Sequence, residues 1–139
     1  MKRRNTSRSM VLGTGIDLVE NDRMQEALKR HGDAFKKKVF LPREQKYCDA
    51  KADPSRHYAG RFAVKEAVSK AFGTGLGEHL GWLDIEIVRD EKTGAPSVLL
   101  QGKGKTLAKK RGVKKVLVSL SHTRQHAVAQ ALLMGPTEA

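Results

Sequence analysis

The chain has 139 residues, with 27 Lys and Arg against 15 Asp and Glu, and a formal net charge of +12. That length suits one domain with a core of its own, and no apolar run approaches the ~20 residues of a membrane span. A single cysteine, Cys48, excludes an internal disulfide and a thiolate metal cluster. Aromatics make up only 5% of the chain and do not alternate with the basic residues, so the stacking platforms of single-strand nucleic-acid surfaces are missing.

The basic stretch Met1–Ser9 is followed by too short an apolar run for a signal peptide. We expect a flexible tail over 1–9 and one domain over 10–135. Met10–Glu20 is rich in strand formers (Val11, Leu12, Ile16, Leu18, Val19), with Gly13 and Gly15 alternating inside it. Glycines at that spacing permit close backbone approach. Asp17 lies among Ile16, Leu18 and Val19, where a carboxylate is better explained as a ligand than as a turn residue. Gly13-Thr14-Gly15 lacks the third glycine of a dinucleotide fingerprint.

Asn21 or Asp22 can cap a helix over about Arg23–His31, which Gly32 ends. A short helix over Asp33–Phe40 carries a lysine run, and Pro42 opens another that ends near Asp53. Ser55 then caps a long helix to about Phe72. Tyr58, Ala59, Phe62, Ala63, Val64, Ala67, Val68, Ala71 and Phe72 cover nearly its whole circumference, the pattern of a buried helix. Yet Glu66 and Lys70 sit one turn apart on it, and Arg61 and Lys65 form a second charged pair. Buried charges need partners, a metal or a ligand. Gly73 suits a left-handed cap, and Gly73-Thr74-Gly75-Leu76-Gly77 holds more glycine than a cap requires. Its backbone can approach a phosphate or an extended ligand.

Trp82–Arg89 alternates as a half-buried strand, and Thr93-Gly94 turns it back into Ser97–Leu100. A basic helix over Gly102–Arg111 follows, then a strand over Val113–Ser121. A turn begins at His122, and an antiparallel strand returns over His126–Met134. Residues 135–139 are expected to be tail. The histidines at 31, 57, 79 and 126 have no metal-ligand spacing.

Three motifs stand in fixed order: Gly13-Thr-Gly-Ile-Asp-Leu-Val-Glu20, Gly60-Arg-Phe-Ala-Val-Lys-Glu-Ala-Val-Ser-Lys-Ala-Phe-Gly-Thr-Gly-Leu-Gly77 and Val118-Ser-Leu-Ser-His-Thr123. Together they resemble the holo-[acyl-carrier-protein] synthases, the small bacterial class of 4′-phosphopantetheinyl transferases, over nearly the whole span Val11–Leu133. The resemblance implies a small α+β domain, mostly antiparallel sheet around one long buried helix. It implies Mg²⁺ on Asp17 and Glu66, with coenzyme A as donor substrate held by Lys70, Gly73, Thr74, Gly75 and His122. Glu66, Lys70 and His122 would be catalytic. The serine proton of an apo-acyl carrier protein would go to Glu66, to a metal-bound water or to His122. Arg23 and Arg61 would dock the acidic carrier, and the enzyme would be a cytoplasmic homotrimer with interfacial sites, serving fatty acid biosynthesis. No membrane or nucleic-acid partner is expected. The basic tail 1–9 departs from the compact pattern, and Lys65 has no assigned role. A basic nucleic-acid-binding module, or a scaffold for acidic partners, would leave Asp17 and Glu66 unexplained.

Overall fold

The computed structural model describes residues 8–136. Most of the basic tail expected over 1–9 lies outside the described residues, although Ser9 already begins the first strand. The elements are β1 (Ser9–Glu20), α1 (Asn21–Val39), α2 (Pro42–Asp49), α3 (Pro54–Phe72), a 3₁₀ turn (Trp82–Asp84), β2 (Ile85–Arg89), β3 (Pro96–Leu100), α4 (Gly102–Lys110), β4 (Lys115–His122) and β5 (His126–Pro136). They form a three-stranded antiparallel sheet in the order β1-β5-β4 and a two-stranded antiparallel β2-β3 pair. The fold is α+β, with α3 packed across the three-stranded sheet.

Side chains on a strand alternate between faces, and β1 uses that alternation for an unusual contact. Its inward set is Gly13, Gly15, Asp17 and Val19, while Ile16 and Leu18 point out and stay exposed. At Gly15 a Cβ would collide with the carbonyl oxygen of Ala67 and come within 2.7 Å of the Ala71 amide nitrogen. At Gly13 it would strike the Ala71 carbonyl. The strand therefore lies directly on the helix backbone, and the alanines of α3 (Ala59, Ala63, Ala67, Ala71), all buried, supply the matching flat side. On β5, Ala127, Ala129 and Ala131 continue the small-residue layer, and Leu133 fills its end.

Several elements differ from the sequence expectation. The segments expected over 23–31 and 33–40 are not among them: they meet at Gly32, whose φ of 49° and ψ of −128° interrupt the helix as expected. Asn21 does not cap it. Its side-chain amide donates to the carbonyls of Thr123 and Arg124, tying α1 to the β4–β5 turn. Ser55 is inside α3 rather than its cap, and its hydroxyl hydrogen-bonds the Asp53 carboxylate at 2.7 Å. Trp82–Asp84 is a 3₁₀ turn because the Asp84 carboxylate accepts from the Gly81 amide and closes the chain there. β5 continues through Gly135 and Pro136, beyond the expected tail boundary, because Met10 and Ser9 pair with them. Cys48 is fully buried, and burial pushes its thiol up to about 12, which leaves it unreactive.

Lys65, without a role from sequence, is fully buried and completely satisfied. Its ammonium donates to the Val39 carbonyl (2.7 Å), the Trp82 carbonyl (3.0 Å) and Glu44 Oε1 (2.7 Å). Glu44 in turn accepts from the amides of Leu41 and Ile87, both at 2.9 Å. One ion pair thus fastens α3 to the end of α1, the start of α2, the 3₁₀ turn and β2. Burial pulls the Lys65 amine below its ordinary value, opposed by Glu44.

Candidate active site

The β1–α3 contact brings Asp17 and Glu66 to the mouth of one cleft of about 390 Å³. Leu18, Val19, Glu20, Arg23, Met24, Ala27, Phe35, Phe62 and Lys70 line the rest. The floor is apolar: Met24 is buried, and Phe35 stacks on Phe62 at 6.4 Å, which stacks on Trp82 at 4.8 Å. The rim is charged.

Lys70 Nζ donates to Asp17 Oδ1 at 2.9 Å and to the Ile16 carbonyl at 3.1 Å. Its side chain is still 51% exposed, which leaves its third N–H facing the cleft. Burial, then the nearby Asp17 carboxylate, push Glu66 above the ordinary carboxylate range, with Lys70 pulling the other way. Two carboxylates held close together with one ammonium between neighbouring atoms form a site short of positive charge. Among the described residues there is no group of three or more His, Cys, Asp or Glu suited to a metal. The donor set is instead two carboxylate oxygens beside open space. That fits Mg²⁺, which takes few protein carboxylates and fills its octahedron with water and substrate phosphates.

Past Lys70 the helix ends on Gly73, whose φ of 78° is left-handed and whose N–H donates to the Lys70 carbonyl at 2.9 Å. Gly75 is also left-handed, at φ 65°, and nothing would meet a Cβ at either position. Their backbone faces open space next to Lys70. The Thr74 hydroxyl is occupied locally by the Gly75 carbonyl.

Two expected site residues fall elsewhere within the chain. His122 is the last residue of β4, not the start of the turn, and packs against the other end of α3. Gly60 makes room for it: a Cβ there would lie 2.6 Å from the His122 Cε1. His57 stacks 6.1 Å away, and Arg56 and Arg61 add positive charge. Burial first, then those cations, hold His122 below the ordinary imidazole range, and burial and Arg61 do the same to His57. The His122 Nδ1 is buried without a hydrogen-bond partner, as is the Arg61 Nε. Arg61, which the resemblance implies as a carrier-docking residue, is only 5% exposed in the single chain. Its guanidinium lies under the Tyr47 ring at 4.0 Å, because a helix apolar all round has no solvent side at that position. Arg23, by contrast, is exposed at the cleft. Sequence reasoning missed the cationic group around His57 and Arg56. The Arg-His pair at 56–57, one turn before Gly60 and Arg61 on α3, was the available signal.

A family model described as the 4′-phosphopantetheinyl transferase superfamily matches residues 13–131, taking in β1, α3 and β4. The chain belongs to this superfamily. It is 47% identical over 126 residues to the holo-[acyl-carrier-protein] synthase of Syntrophus aciditrophicus, covering 91% of this chain and 98% of the relative. The Koribacter versatilis holo-[acyl-carrier-protein] synthase is 42% identical over 124 residues, covering 89% of this chain and 98% of that one. Among solved structures, the Helicobacter pylori holo-[acyl-carrier-protein] synthase in complex with coenzyme A superposes with a TM-score of 0.77. It is 33% identical and covers 86% of this chain and 98% of that one. The Neisseria meningitidis enzyme gives a TM-score of 0.83 at 28% identity, over 89% and 98% of the two chains. The chain is a transferase of this family, with the family's fold. No helix among the described residues is long and apolar enough to cross a membrane.

Proposed function

We propose that this chain transfers the 4′-phosphopantetheine group of coenzyme A to a serine hydroxyl of an apo-acyl carrier protein, releasing adenosine 3′,5′-bisphosphate, and so serves fatty acid biosynthesis. The observation that carries it is the cleft where Asp17, Glu66 and Lys70 meet beside an open glycine turn. Phosphoryl transfer needs positioning and charge neutralisation more than covalent help. Asp17 and Glu66 would hold Mg²⁺, which when bound supplies positive charge to the pyrophosphate oxygens. Lys70 directs its free N–H at the same oxygens as a point charge. The backbone at Gly73, Thr74 and Gly75 lies along the donor. Arg23, at the edge of the cleft, engages the acidic carrier, and the apolar floor of Met24, Phe35 and Phe62 takes an apolar side chain or the pantetheine arm.

His122 and Arg61 belong to this reading through assembly. The outer face of the three-stranded sheet exposes Ile16 (64%) and Leu18 (62%) on one edge strand and Leu117 (40%) on the other, with Val128, Gln130 and Leu132 of β5 between them. An exposed apolar face of this kind marks an interface. A homotrimer closed through it would bring one copy's Arg56, His57, Arg61 and His122 toward another copy's cleft. That cationic group, with two unpartnered buried nitrogens and with Arg56, His57 and Arg61 as the charges acting on His122, suits a phosphate of the donor. The serine proton then has two candidate acceptors on this protein, Glu66 or a neutral His122.

The test is intact-mass analysis of an apo-carrier protein incubated with the enzyme, coenzyme A and Mg²⁺. Addition of one phosphopantetheine group is expected. No addition to a carrier that a known transferase can modify rejects the reading. Asp17→Ala and Glu66→Ala should both abolish transfer, and near-normal turnover in either rejects the metal assignment. Light scattering should give three copies, and a monomer with full activity rejects the shared site.

A further inference from the structure

The excess positive charge of this protein is not spread over it. Residues 10–91, which contain the whole proposed cleft, hold 14 Lys and Arg and 14 Asp and Glu. Residues 92–137 hold nine Lys and Arg, no Asp or Glu, and no Phe, Trp or Tyr. Seven of the nine fall in α4 and the turn into β4: Lys103, Lys105, Lys109, Lys110, Arg111, Lys114 and Lys115. All seven are exposed, and none makes a salt bridge among the described residues. Lys103 and Arg111 donate to backbone carbonyls, of Glu78 and Phe72, and the other five ammonium groups make no hydrogen bond among the described residues.

The start of the chain comes to the same place. Ser9 pairs with Pro136 and Lys115 with Met134, so Arg8 shares a groove with Lys114, Lys115, Leu117 and Met134. Leu12, 40% exposed, and the Gly112 carbonyl both lie against Gly135. With Leu117 assigned to the proposed trimer face, the aliphatic edge of the basic pole is Leu12 and Met134. The Lys114–Lys115 part of the pole lies at the Ser9 end of β1, eight residues from Asp17, or about 25 Å along the strand, while Arg111 reaches back to the end of α3 at Phe72.

We infer that this pole, built on α4 and the α4–β4 turn, docks the enzyme on an anionic lipid surface. A cluster of four to eight Lys or Arg beside apolar side chains is the pattern that engages acidic headgroups. Lysine stems can lie along the headgroup boundary while their ammonium groups meet phosphates. A nucleic-acid backbone offers phosphates too, but this face has no aromatic side chain to stack on bases, and its aliphatic edge would have no role there. No spanning segment is needed, so the absence of one does not bear on this contact. The inference does not depend on the proposed transfer reaction.

The experiment uses the full chain and vesicles of phosphatidylglycerol and phosphatidylcholine, read by co-sedimentation. Binding to mixed vesicles, absence of binding to pure phosphatidylcholine, and release at high salt are expected. Each lysine removed should weaken partitioning about fivefold. The variant Lys105→Gln/Lys109→Gln/Lys110→Gln/Lys114→Gln should therefore lose several hundredfold. Its melting temperature and its phosphopantetheinyl transfer to a soluble carrier should stay at the wild-type level. Wild-type protein that ignores anionic vesicles at low salt overturns the inference, as does a quadruple variant that binds them equally well. Tighter, lysine-dependent binding to a 20-base-pair duplex with no vesicle binding replaces it with a nucleic-acid surface.

Discussion

Replacing Lys65 by Met should cost this protein more than any change in the cleft. The side chain has no exposed surface, and its ammonium makes three hydrogen bonds of 2.7–3.0 Å. Met fills most of the volume but leaves the Glu44 carboxylate buried with only the Leu41 and Ile87 amides, and it leaves the Val39 and Trp82 carbonyls without donors. Breaking a buried pair by removing one partner costs about 3–5 kcal/mol. For a domain of this size that is a fall of roughly 10–20 °C in melting temperature. Trp82 is the only tryptophan. Its carbonyl is one of the acceptors and its ring packs on Phe62, so its fluorescence reports the loss directly during urea unfolding at pH 7. Adding Glu44→Gln should recover part of the loss, because the uncompensated charge is gone while one amide keeps an acceptor. If Lys65→Met alone unfolds within 1 kcal/mol of wild type, the pair is not what fastens α3 to the surrounding elements.

Gly15→Ala should destabilise by about 3 kcal/mol or more, because the added methyl meets the α3 backbone, which cannot give way as a side chain can. Activity should fall with it as β1 lifts Asp17 from Glu66, and a variant with wild-type stability and turnover contradicts the close contact. Glu66→Gln should abolish transfer yet raise the melting temperature without metal. A carboxyl whose folded pKa is raised stabilises the fold while protonated, and that contribution is lost as pH rises through the raised value. Mg²⁺ should then raise the melting temperature of wild type and do so far less in the variant. The pKa of His122 lies below the ordinary imidazole value, so it is neutral at pH 7 and stability falls as pH drops through its titration. Coenzyme A binding should raise that pKa, read by NMR titration of the imidazole Cε1 proton, and an unmoved His122 argues against a phosphate contact.

The apolar circumference of α3 made its burial readable from sequence, and Gly13 and Gly15 announced a close approach whose partner turned out to be that same helix. Asp17 and Glu66 were readable because a carboxylate in an apolar setting is conspicuous. The partner of Lys65 was not readable: Glu44 lies on a different helix, and no local period links the two positions. The burial of Arg61 was hard to read for a related reason. Its neighbours on α3 argued for burial, but only the tertiary packing of Tyr47 shows how a guanidinium is accommodated there. His122 looked like a turn residue because Thr-Arg-Gln follows it, while pairing with Ala127 extends β4 by one residue. The break at Gly32 and the hairpin at Gly94 were local matters of chain geometry, and there sequence and structure agree.

The pairing of β1 with β5 has a consequence for how the protein is made. Ser9 pairs with Pro136, and among the described residues the strand that carries Asp17 has no sheet neighbour other than β5. During synthesis β1 emerges first and must wait for nearly the whole chain before it can pair, since each long-range contact is formed only after its loop is closed. α3 can form early, but the seat of Asp17 beside Glu66 is completed only when the last strand is released. A ribosome-bound chain arrested before residue 126 should therefore expose the apolar side of α3 to chaperones and hold no donor. Under the proposed reaction, competence waits first on the pairing of β1 with β5 and then on the assembly of copies.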